Sequence, residues 1–304
     1  MEKTIYSYKA LNMDFTCKDF QYEIGKEYIH SDEVMVCQKG FHACQNPWGI
    51  QTYYSIINTR FAFVEQSGEM DFSYLNTESK VASSKIKILK ELTLKEYIKA
   101  CYDYNISVNA PAISKTYANL SYNESSAFIA VKGDASNISL SGFDNRIAIS
   151  GDSPTIGTSG KACNILSSGD YPVIAASGNF SSILTNGKNA SLSTSGKNSD
   201  IMANGKFSSL AASGDLTNFV SDGQYSKLAA SGNSASFVSK GKNSVIVSSG
   251  KFATAKGING TWIALAEYDK NNCCIGFATG KIGENGLVED TWYIAKNGQL
   301  TPVE

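Results

Sequence analysis

Fourteen glycines recur at intervals of nine residues, from Gly133, Gly142 and Gly151 through to Gly250, without one slip. A fixed short period over so long a stretch is the signature of a solenoid. Each repeat is then one strand plus one turn, and it buries its apolar side chain only by stacking on its neighbours.

Written from the glycine, the repeat reads Gly-polar-x-small-x-Ile/Leu/Phe-x-small-Ser. Its sixth position runs from Ile138 and Ile147 through Ile201, Leu210 and Phe219 to Ile246, and it alone is always large and apolar. It must point inward. Side chains alternate along a strand, so positions four and eight share that face. One bulky ladder flanked by small residues fits a thin, flattened tube. The glycine is expected to supply the positive φ of a tight corner, and the polar residue after it to keep that corner wet.

A second period lies inside the first. At position seven Leu166, Leu184, Met202, Val220 and Val238 alternate with Ala175, Ser193, Ala211 and Ala229. Position nine agrees: Ser177, Ser195, Ser213, Ser231 and Ser249 are uniform on one set, and Ser168, Asn186, Asn204, Asp222 and Lys240 fall on the other. Two nonapeptides therefore make one coil of eighteen residues. Position seven lies on the side of the strand opposite the inner ladder, so the five large residues are expected to form an outward apolar stripe. Such a stripe usually marks an interface. It predicts a homodimer or a protein partner; cover by the chain's own N-terminal domain or cap, or a reversed inside and outside, are the alternatives.

Several functions are disfavoured by the same residues. Calcium-binding β-rolls carry Gly-Gly-x-Gly-x-Asp turns, whereas here each repeat has one glycine and no acidic residue at a regular ligand position. Ice binding needs regular Thr ladders, and Thr158, Thr185 and Thr194 are too sparse. Between Gly133 and Gly257 ten Lys and Arg face seven Asp and Glu, so the rod is no acidic mimic of DNA. The whole chain of 304 residues has a formal net charge of −1 and no long block of like charge. Neither nucleic acid nor a membrane surface is favoured as a partner. No apolar run is long enough to span a bilayer, and the first residues lack the apolar core of a signal peptide. Seven scattered cysteines then read as reduced thiols in a cytosol.

Three domains are expected: an α+β domain over 1–124, the solenoid over 125–257 and a β cap over 258–304. In the first, strands are predicted at Thr4–Leu11, Glu33–Cys37, Arg60–Gln66 and Lys85–Leu89, with a helix at Thr93–Tyr104. Gln21–Tyr28 reads as a turn between short strands, Asn46–Tyr54 as a Pro-initiated helix, and Ser107–Asn123 as a polar connection. In the cap, strands are predicted at Gly260–Glu267, Cys273–Ala278 and Thr291–Ala295, with Asn285-Gly286 and Asn297-Gly298 as hairpin turns.

Three segments carry a resemblance: 16–28 (TCKDFQYEIGKEY), 37–47 (CQKGFHACQNP) and 80–86 (KVASSKI). Together they resemble an uncharacterised N-terminal domain of phage and prophage proteins. Members of that family often carry Gly/Ser repeats and a cap like Gly260–Glu267 (GTWIALAE). Here the repeats are richer in Ile, Leu and Phe. The resemblance implies a phage or prophage setting and supplies no established activity.

The polar cluster in this domain is Gly40-Phe41-His42-Ala43-Cys44, with Arg60, Glu65 and Glu69 downstream. An ADP-ribosyltransferase-like pocket would use His42 or Arg60 on a nicotinamide nucleotide and a Glu such as Glu65 to orient the acceptor, but no Ser-Thr-Ser or Glu-x-Glu accompanies them. Cys37 or Cys44 paired with His42 offers a thiol nucleophile without an oxyanion site. Cys17, Cys37, His42 and Cys44 are zinc-ligand types without a C-x-x-C pair. The plainest reading makes His42 and Cys44 structural, with no cofactor and no metal. The expectation is therefore a non-enzymatic scaffold that binds itself or a host protein, including a component of host defence. An N-terminal enzyme or nucleotide-binding activity and a virion accessory part are the alternatives.

Overall fold

The computed structural model describes residues 3–73, 79–108 and 113–303. It divides into two compact units, Met1–Tyr104 and Asn105–Glu304.

The first unit is a small closed sheet. Its strands are β1 (Ile5–Leu11), β4 (Glu27–Ile29), β5 (Phe41–Cys44), β6 (Arg60–Phe72) and β7 (Lys80–Leu92), while β2 (Thr16–Cys17) and β3 (Phe20–Gln21) pair with each other as a separate hairpin. The long strand β7 pairs with β6 on one edge and with β5 and β4 on the other, and β1 pairs along its whole length with the first half of β6, Arg60–Gln66. β1 meets β5 at a single pair, Tyr8 opposite Cys44, which closes the circuit. Inside lie Leu11, Phe41, Ala43, Val64, Ile86 and Ile88. Helix α1 (Leu94–Val108) begins with a reciprocal cap. The Glu96 carboxylate accepts from the Thr93 amide at 2.9 Å and Thr93 Oγ1 accepts from the Glu96 amide at 3.3 Å. The helix stacks Tyr97 on Phe61 at 3.8 Å between ring centroids.

One expectation changes here and another is refined. Glu33–Cys37 is a turn, because Cys37 takes φ 67° and Met35 pairs back on Lys39. The Pro-initiated helix is present over Pro47–Thr52, capped by the Asn46 side chain, but it is a 3-10 helix. Of the connection expected over Ser107–Asn123, residues 109–112 lie outside the described residues, and Asn119–Tyr122 is already a strand.

The second unit is the solenoid. Its two ten-stranded sheets take alternate strands of the chain. One begins at Asn119–Tyr122 and the other at Phe128–Val131, and parallel partners lie eighteen residues on, as Ile183 beside Ile201 and Leu192 beside Leu210, until the last step, where Trp262 lies seventeen beyond Val245. The parallel stack reaches Trp262–Tyr268, one coil beyond the glycines at either end. Sixth-position side chains form the continuous inner core. Beyond it, Trp262–Tyr268 pairs antiparallel with Cys274–Lys281, and Tyr293–Lys296 with Gln299–Pro302 through an Asn297-Gly298 turn in which both residues have positive φ. These hairpins blunt the open edge of the rod.

The corners are built differently from the expectation. None of the repeat glycines has positive φ; that conformation falls two residues later, at Ala135, Asp144 and every ninth residue on to Phe252. Glycine is required by crowding instead. A Cβ on Gly196 would lie 2.0 Å from the carbonyl oxygen of Gly178, one coil earlier, and one on Gly205 would lie 1.8 Å from that of Gly187. Position four closes the corner: Ser208 Oγ donates to the Gly205 carbonyl and Ser226 Oγ to that of Gly223, both at 2.8 Å. Position two ties one coil to the next, for Asp170 Oδ1 accepts from the Lys188 amide at 2.8 Å and Asp215 Oδ1 from the Asn233 amide at 2.9 Å.

Candidate functional sites

The first candidate lies in residues 5–100, where the single β1–β5 pair lets the strands part. The β2–β3 hairpin, the Cys37–Gly40 turn and the Pro47–Thr52 turn surround a cavity of about 700 Å³. Lys9 points into it from β1 and is only 4% exposed. Its ammonium donates to the His42 carbonyl at 2.9 Å and to Cys17 Sγ at 3.6 Å, and sits 5.0 Å from the Tyr22 ring centroid. Burial pulls the Lys9 pKa down, and the neighbouring thiol of Cys17 partly offsets this. Cys17 Sγ also lies 3.3 Å from the Tyr54 hydroxyl.

On β7, opposite Cys44, Lys80 covers the face of Tyr53 at 3.8 Å and donates to Cys37 Sγ at 3.6 Å. His42 is held neutral, its pKa lowered to about 4 by burial and then by Lys80, Lys9 and Lys18. Its Nε2 is buried without a hydrogen-bond partner, as is that of His30, which lines the same cavity.

The cavity thus gathers four residues singled out from the sequence, Cys17, Cys37, His42 and Cys44. It does not gather Arg60, Glu65 or Glu69. Arg60 is held by Glu91, whose carboxylate takes both Nε and Nη2, at 2.8 and 2.6 Å, and its Nη1 donates to the Met13 carbonyl. Glu65 stands on β6 opposite Tyr6 and Lys87, away from the cavity lining. Among the described residues no three His, Cys, Asp or Glu side chains converge as a metal site. Lys9, Lys80 and His30 went unnoticed in the sequence. The one available signal was a lysine inside the apolar run Tyr8-Lys9-Ala10-Leu11.

The second candidate is on the rod. The expected stripe is present in register, Leu184 beside Leu166 and Met202 beside Leu184, but it is not wet. Leu166, Leu184, Met202, Val220 and Val238 are 0–6% exposed, so the expectation of an exposed stripe is corrected. Alternation fixes which side of a strand a residue occupies, not what lies over that side. The open face is the other one. There Ala175, Ser193, Ala211 and Ala229 are exposed, as is the column Ser177, Ser195, Ser213 and Ser231. They floor a shallow trough of about 840 Å³ that runs along the sheet from Ser139 to Ser249.

The corners at both edges of this trough carry large apolar side chains at the third repeat position. Tyr171, Phe207 and Tyr225 project on one edge, and Phe180, Leu216 and Phe252 on the other. Phe180 is 61% exposed and Phe252 80%. Phe207 and Tyr225 stack at 5.1 Å. All six adopt φ of 57–60°, a region that Asn and Gly enter readily and bulky residues enter at a cost of about 1–2 kcal/mol.

Among the described residues no helix is long and apolar enough to cross a membrane. Residues 5–100, which hold the closed sheet and its cavity, match a family model described as a domain of unknown function, DUF7666. No curated protein and no solved structure matches the chain.

Proposed function

We propose that this chain is a protein-binding scaffold whose contact surface is the open face of the solenoid with its two apolar rims. The observation that carries the reading is the set of six exposed Tyr, Phe and Leu residues in left-handed conformation. At such corners Asn, which stands at Asn189, Asn198 and Asn243, folds more cheaply. A side chain that costs folding energy and stays in water is best explained by what it contacts in a complex. Aromatic anchors around a flat floor are the usual form of a binding hot spot. The resemblance of the N-terminal segments to phage and prophage proteins supplies the setting. In it the partner is a host protein, such as a component of host defence, or a second copy of the chain.

The test separates folding from binding. Phe207→Asn with Tyr225→Asn, and separately Phe180→Asn with Phe252→Asn, should leave the melting temperature unchanged or higher. The same variants should lose partners recovered from host lysate, or the dimer seen by light scattering. If they keep every partner, or if the wild type is monomeric and recovers none, the reading fails.

A further inference from the structure

The cavity between β1 and β5 has an electrostatic character that the fold does not require. Three lysines line it, Lys9, Lys18 and Lys80, against a single carboxylate, Asp19. Among the described residues none of the three is paired with a carboxylate. Lys9 is the telling one. A buried ammonium is expensive, and here its partners are a carbonyl, a thiol and a ring face, none of which carries formal charge. A methionine or leucine would serve the closed sheet better. Beside the lysines, the Nε2 atoms of His42 and His30 are buried with their hydrogen-bonding capacity unused. On the other side the wall is apolar and wet: Phe20, Ile29 and Tyr53 are all exposed at the mouth.

We propose that this cavity binds a small phosphate monoester, its phosphoryl group among Lys9, Lys80 and His42 and its apolar or planar body against Phe20, Ile29 and Tyr53. Three lysines against one carboxylate give the lining an excess of positive charge of about +2, which complements a phosphoryl dianion of about −1.5 to −2. A volume of about 700 Å³ falls in the range of small-molecule sites. His42 contributes either way: neutral, it can accept from a monoprotonated phosphoryl group, and with the anion in place it can itself take up a proton and donate. This site is independent of the solenoid's partner surface.

Calorimetric titration of the full chain with phenyl phosphate, inorganic phosphate and a phosphoserine peptide tests the assignment. Phenyl phosphate should bind once per chain, and about tenfold more tightly than inorganic phosphate, which lacks the body. Lys9→Met and Lys80→Gln should each weaken phenyl phosphate by about tenfold or more. Lys227→Gln, on the exposed solenoid sheet, should change nothing. Lys9→Met should also keep or raise the melting temperature of the empty protein, since it removes a buried charge; should it fail to fold, Lys80→Gln decides alone. The proposal is overturned if phenyl phosphate shows no saturable binding at millimolar concentration. Equal weakening by Lys227→Gln, or tighter binding of the peptide than of phenyl phosphate, would overturn it as well.

Discussion

At the scale of single residues, the corner separates two demands that glycine alone can often meet together. Close approach falls on position one and left-handed backbone on position three, two residues apart. Gly196→Ala is therefore expected to be severe although its φ suits alanine. The new Cβ meets the Gly178 carbonyl at 2.0 Å, and the two coils must part to admit it. A loss on the order of 2–3 kcal/mol in urea unfolding is expected. Asn198→Gly, in the same corner at φ 53°, should cost a few tenths at most. Asp200 is the other informative residue. Burial pushes its carboxyl up to about 6, while a 2.9 Å hydrogen bond from Asn218 opposes the shift. A carboxyl whose folded pKa exceeds its unfolded value of about 3.8 penalises the fold when ionised. That penalty is absent below about pH 4, grows as pH rises and is complete above about pH 6. Asp200→Asn should accordingly stabilise by on the order of 1 kcal/mol at pH 8 and by little at pH 4, measured by denaturant unfolding at both.

At the scale of elements, the two large ladders of one strand now make the same prediction. Ile201 belongs to the inner core and Met202 to the stripe on the opposite side, and both are fully buried. Ile201→Asp and Met202→Lys should each destabilise by several kcal/mol, read as a fall in unfolding midpoint. A folded Met202→Lys protein with wild-type stability would mean that the stripe is wet after all. The contrast shows what sequence could reveal. The inner ladder was legible because position six is apolar in every repeat and the period admits only one register. The fate of the stripe was not, because alternation gives the side of the strand a residue occupies and leaves its burial undetermined. The closed sheet was hidden for a similar reason. Its strands were mostly visible as alternating runs, but closure rests on Tyr8 meeting Cys44, a contact across 36 residues that no local pattern announces. With it the cavity went unseen, although Cys37, His42 and Cys44 had been singled out by residue type. One turn was missed, for Cys37 in left-handed conformation broke a predicted strand, whereas the Pro-initiated helix after Asn46 was found, in 3-10 form.

At the scale of the solenoid, every coil is bonded to the next by the parallel ladder, which position-two side chains reinforce at several steps, as Asp215 does with Asn233, and ion pairs at others, as Lys197 with Asp215 at 3.0 Å. The chain is nearly the same object at each step along its axis, yet it has two unlike faces that take turns. Its length is thus quantised in pairs of repeats. Deleting the eighteen residues Gly196–Ser213 removes one whole coil and returns every later side chain to its former face, so a shorter folded rod should result, with β-sheet circular dichroism and a cooperative melt. Deleting only the nine residues Gly196–Asn204 preserves the glycine spacing perfectly but exchanges the faces downstream. It would turn Val220 and Val238 out onto the open trough and send Ala211 and Ala229 to the covered side, and such a protein should aggregate or lose its C-terminal half to limited proteolysis. Gene-level gain and loss of repeats, which a bare glycine count would permit one at a time, is on this account restricted by parity.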